Sequence, residues 1–136
     1  MAMTIPVETT YEGEGSSMAF VLPRAYADAP PAPLAGSSVE IVEIEKRLVA
    51  AMAFGGIATD EEIQRQRLAL LAALAAESSV APIDETRMSV LQYNSPLTLP
   101  WRRRNEVAFV VAEKNVVEKV AEMVAETVAA PTADGQ

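Results

Sequence analysis

The stretch FGGIATDEEIQRQRLALLAAL, residues 54–74, constrains the fold more than any other part of the chain. Two glycines stop an apolar run, and a helix starts just after them. Thr59-Asp60-Glu61-Glu62 is a capping box: the Thr59 hydroxyl can accept from a first-turn amide, and Glu62 can reach back. Its three acids sit at the positive end of the helix dipole. Ile63, Leu70, Leu71 and Leu74 then recur at helical spacing, with Arg65 and Arg67 toward water. Glu61 and Arg65 form a favourable i,i+4 pair. The pattern predicts one long helix, about 60–77, with a leucine stripe packed on a sheet.

Short β-type runs lie on both sides of this helix. Thr4 to Tyr11 is rich in β-branched residues and reads as a strand, with Pro6 favouring an edge position. The turn-type residues 12–17 separate it from Met18–Leu22, so the two predict a hairpin. Residues 24–38 hold three prolines and read as a loop, with a turn of helix near Tyr26. VEIVEI, residues 39–44, predicts a strand with a bulge at Val42. Leu48–Phe54, Met88–Tyr93 and Asn105–Val111 read as further strands, and Ser78–Glu85 as a loop. In residues 113–130, Val117, Val120, Val124 and Val128 make a helical stripe with Glu118, Glu122 and Glu126 on another face. This predicts an amphipathic helix, exposed or packed on a partner. Residues 131–136 are expected to be disordered. Strands, helix and strands with short connections predict an α+β fold with an antiparallel sheet.

Composition excludes much chemistry. The chain has no cysteine and no histidine, so disulfides, thiol catalysis, the usual neutral-pH base and the commonest haem axial ligand are absent. Its net charge of -8 argues against a nucleic-acid partner. No apolar run approaches the roughly 18 residues of a membrane helix, which predicts a soluble chain without a membrane span. The serine pairs have no histidine to activate them. Gly55-Gly56 lacks the spacing and lysine of a phosphate loop and reads as a strand end with unusual backbone angles. No catalytic constellation is recognisable, so a non-enzymatic role is expected.

One stretch concentrates positive charge in this acidic chain. YNSPLTLPWRRRNEV, residues 93–107, places Trp101, the only tryptophan, before Arg102, Arg103 and Arg104. Two readings stand side by side. In one, Tyr93, Leu97, Leu99 and Trp101 cover a flat apolar ligand whose carboxylates pair with Arg102 and Arg103. In the other, Trp101 fills the core and the arginines pair with acids or cap carbonyls.

The same stretch resembles the Y-N/D-x-P…P…R-R-N-E-V segment of the SOUL, or haem-binding, protein family. MAMTIPV is similar to that family's (I/M)-A-M-T-x-P-V segment, SSMAFVLP to its F-x-(L/M)-P strand, and FGGIATDEE to its F-(S/G)-G-x-A-(T/S)-(D/E)-E junction. These matches run in order over about residues 1–111. The resemblance implies pseudo-repeated β-α-β-β halves and an antiparallel, barrel-like sheet. It implies reversible binding of haem or another tetrapyrrole in an apolar groove, with basic residues near the propionates and no histidine axial ligand here. A carrier in cytoplasm or plastid is the implied role. Family domains begin before the A-M-T-x-P-V segment with a strand and a long helix. Residues 1–111 are therefore expected to be a partial SOUL-like domain, with residues 112–130 as an appended helix. An open half-barrel invites a homodimer or a larger assembly, so a structural subunit that binds no pigment is the alternative. Arg103 and Arg104 fall on the family's paired arginines. Arg102 is additional, and the freer candidate for a propionate.

Overall fold

The computed structural model describes residues 4–129; residues 131–136, where disorder was expected, lie outside them. The strands are β1 (Val7–Glu12), β2 (Gly15–Phe20), β3 (Leu48–Phe54), β4 (Val80–Pro82), β5 (Arg87–Gln92) and β6 (Asn105–Glu113). Helix α1 (Asp60–Ala76) follows β3, and α2 (Lys114–Ala129) follows β6. All strand pairs are antiparallel, in the order β2-β1-β5-β6-β3, with β4 also on β6. The fold is α+β as the sequence predicts, although the described sheet is open rather than closed into a barrel, with β2 and β3 as its edges.

Turn chemistry sets the first hairpin. Gly13 has φ +59 and opens a two-residue connection between β1 and β2. A two-residue hairpin with glycine first suits the right-handed strand twist. β1 is not an edge, since β2 and β5 flank it. Pro6 lies just before the strand, so its missing N–H costs no ladder bond.

Helix α1 starts where the capping box places it. The Glu62 amide donates to the Thr59 hydroxyl at 3.2 Å. The Glu62 carboxylate does not reach back; it accepts from Gln66 at 2.9 Å and pairs with Arg65. Arg65 therefore takes the acid three residues before it, not Glu61. Ile63, Leu70 and Leu74 are buried against Met88 and Val90 of β5 and Val107, Phe109 and Val111 of β6. Residues 107, 109 and 111 alternate, so one face of β6 meets the helix. β6 is the axis of the sheet: β3 runs along one side, and β5 and then β4 share the other. Val111 pairs with both Leu48 and Pro82, which puts β3 and β4 on opposite sides.

Two expectations fail here. Ser78–Glu85 contains β4, too short at 3 residues to show periodicity. VEIVEI forms no strand; Val39, Val42 and Ile44 are exposed and unpaired in any ladder. A β-type run becomes a strand only when its backbone bonds to a neighbour, and although β2 and β3 leave open edges, this run takes neither. This segment hydrogen-bonds to neither β2 nor β3; three residues beyond it, Arg47 reaches Glu8 of β1 at 3.4 Å.

Coverage of the sheet is uneven. Helix α1 packs on β3, β4 and β6. On the same face, by register, Met18 and Phe20 of β2 are 64% and 68% exposed. Helix α2 touches β4 and β6, and Val116, Val120 and Val124 along it remain exposed.

Candidate functional site

The segment from Tyr93 to Arg104 is a shaped loop. Thr98 N–H donates to the Ser95 carbonyl at 2.9 Å, closing one turn. Pro100–Arg102 forms a 3-10 turn, with Arg102 N–H on the Leu99 carbonyl at 2.9 Å. Pro100 suits the first position of this turn because its fixed φ is already helical.

Arg103 holds the loop from inside. Its Nε donates to the Thr98 carbonyl at 2.8 Å and its Nη2 to the Pro96 carbonyl at 2.7 Å. The Arg104 amide donates to Asn94 Oδ1 at 2.6 Å. Its guanidinium pairs with Glu106 at 3.0 Å and lies over the Tyr93 ring, 5.9 Å from the centroid. The Tyr93 hydroxyl also donates to Glu106.

A second anchor ties the loop to the turn after β3. Gly56 N–H donates to the Pro100 carbonyl at 3.1 Å. Asn105, 3% exposed, donates its side-chain N–H to the Gly56 carbonyl at 2.9 Å. Gly56 has φ +83, a left-handed conformation that glycine adopts without strain, as expected for that strand end. Sequence reasoning did not find the Asn94 and Asn105 tethers. Asn105 stands in the R-R-N-E-V string, but its partner is 49 residues away.

With the backbone fastened, the apolar side chains point outward. Leu97 is 93% exposed, Trp101 76% and Leu99 48%. Trp101 therefore does not fill the core. Arg102 is exposed, and its guanidinium has no hydrogen-bond or ion-pair partner among the described residues. The three arginines divide as counting against the R-R-N-E-V string implies: 103 and 104 are held by the protein's own groups, and 102 is not.

Residues 1–110 match the family described as SOUL heme-binding protein. The chain belongs to the SOUL family. No curated protein matches it.

This SOUL chain offers iron few ligands. It lacks histidine and cysteine, and among the described residues no acidic cluster could hold a metal. A tyrosinate is one haem ligand that proteins use, but Tyr93 is poorly suited to it. The hydrogen bond to Glu106 pushes its phenol above the usual range, helped by burial and by that carboxylate's charge, with Arg104 opposing. Ionisation would set two anions together. The raised value means the bond stabilises the fold at pH below the ordinary phenol range and is lost as pH rises through the folded value. In an alkaline titration of phenolate absorbance, Tyr93 is expected to ionise above the ordinary phenol range. Glu106→Gln should bring it back into line; a late tyrosine persisting in that variant would contradict the assignment. No helix among the described residues is long and apolar enough to cross a membrane.

Proposed function

We propose that this chain is a non-enzymatic carrier of haem or a related tetrapyrrole, bound on the loop between β5 and β6. Leu97 and Trp101 supply apolar contact for the flat face, and Tyr93 lies at the base of the loop. Arg102 anchors a propionate. Arg103 belongs to the site by keeping the loop carbonyls in place. Residues 1–111 form the binding unit and α2 an appended arm.

One observation carries this reading. In a chain of net charge -8, Arg102, whose guanidinium has no partner among the described residues, shares a loop with exposed Trp101 and Leu97. Exposed aromatics next to an unpaired cation match a ligand that is flat, apolar and anionic. Without a strong axial ligand, contact and charge must supply the affinity, so iron-free protoporphyrin should bind about as well as haem. The test is a titration of the folded protein with haem, followed at the Soret band. Absence of any saturable shift would sink the proposal.

A structural or interaction role is the second reading. The exposed Met18 and Phe20 on β2 and the exposed valines of α2 favour it. Apolar surface of this kind, at a sheet edge and along a helix, is what subunit contacts cover. The mass of the particle in solution discriminates: a multiple of the 14.5 kDa chain supports this reading, and a stable monomer counts against self-association.

A further inference from the structure

We propose a second ligand site, independent of the β5–β6 loop, for a small flat molecule carrying one carboxylate. It lies in the cleft between the first two turns of α1 and the β1–β2 hairpin, a space of about 340 Å³. None of the residues lining it belongs to the loop at 93–104.

The cleft has an apolar floor and a polar rim. Ile63 of α1 and Met88 of β5, both buried, form the floor, with the half-buried Tyr11 ring beside them. Gly13, which turns the hairpin, borders the mouth. Gln64 and Arg67 stand on the rim, one helical turn apart.

Arg67 sets the ligand's charge. Its Nη2 donates to the Glu85 carbonyl at 3.3 Å, which positions the guanidinium without neutralising it. Among the described residues the ion pairs take Arg47, Arg65 and Arg104, and Arg67 has no acid. Its remaining N–H groups form the planar fork that suits a carboxylate. Gln64 has no side-chain hydrogen bond among the described residues and can add a neutral donor. Asp60 also lines the cleft, but two turns earlier, about 10 Å along the helix axis. An acid held at Arg67 therefore does not meet it, whereas a hydroxyl or amine at the ligand's far end would.

Size sets the ligand's body. Small-molecule sites usually span about 300–1,000 Å³, and this cleft is near the lower bound. A two-ring system fits within it. A whole tetrapyrrole would not be enclosed, which separates this site from the carrier role.

The probe is naphthoate, against its neutral counterpart naphthylmethanol, followed through the methionine methyl NMR signals. Both should shift Met88 saturably and leave Met18, exposed on β2, unmoved. Naphthoate should bind about tenfold more tightly, as a charge-assisted fork predicts. Arg67→Gln should erase that preference while naphthylmethanol binding is retained, which also shows the variant to be folded. Three results overturn the proposal: no saturable shift at Met88, a shift at Met18 as large as that at Met88, or an acid preference that survives Arg67→Gln. The haem titration reads the other site, so either proposal can fail alone.

Discussion

Replacing Phe109 with alanine is expected to cost about 3–5 kcal/mol and shift the urea midpoint far down. Phe109 is 1% exposed and lies at the centre of β6. Its ring meets the α1 leucines on the face where Met88, Val90 and Val107 also gather, and Ala50 is its cross-strand neighbour. Truncation removes the ring's transfer energy and leaves a cavity, because α1 and β5 are fixed by other contacts and cannot close on it. A small domain is stable by only about 5–15 kcal/mol, so one such loss consumes a large share. Trp101→Ala is the matched control. That side chain is larger, yet it is 76% exposed, and its loss should move stability by no more than about 0.5 kcal/mol. Urea unfolding followed by circular dichroism measures both. If Trp101→Ala proves as damaging as Phe109→Ala, the outward placement of the loop is wrong.

The second large effect belongs to Arg102. If the carrier reading is right, Arg102→Gln should weaken haem binding by about ten- to a hundredfold, the range for one charge-assisted hydrogen bond. The lower end is the better expectation in salt, because the group is exposed and screened. The dimethyl ester of haem has no propionate charge and should bind wild type and variant alike. Arg103→Gln should behave differently. It removes the two bonds to the Thr98 and Pro96 carbonyls, so the loop loses its shape and both acid and ester bind less well. A parallel loss of acid and ester affinity in Arg102→Gln would show that this residue, too, acts through shape. Raising the salt concentration should narrow the gap between wild type and Arg102→Gln.

The elements legible in the sequence are those whose signal is local. Thr59 with its three acids fixed the start of α1, and the alternation of 107, 109 and 111 marked the face of β6 that meets it. The family resemblance added the separation of Arg102 from its neighbours, since only two arginines were accounted for. What stayed illegible depends on distant partners. VEIVEI is rich in β-branched residues, but its phase slips at Val42 and neither open edge of the sheet receives it. β4 is defined by β6 alone and shows no period of its own. Pro6 suggested an edge because its position just outside the strand is not written locally. The candidate site divides the same way. Its arginines and tryptophan were visible, whereas the bond from Asn105 to Gly56 joins segments that no local pattern connects. That bond is why an exposed loop has a defined shape at all.

The position of β6 has a consequence for how the chain is made. Three strands, β3, β4 and β5, hydrogen-bond to it, and all of them precede it in the sequence. On the ribosome they emerge before their common partner exists. Until residues 105–113 appear, α1 has only part of the surface its leucines will cover, and β3 and β5 are open edges that can bind the wrong strand. The nascent chain can therefore pair β2, β1 and β5 early, but not β3, β4 or the face of α1 that needs β6. It must be kept from mispairing until one late strand arrives, and its vulnerable interval is set by translation speed rather than by the stability of the finished protein.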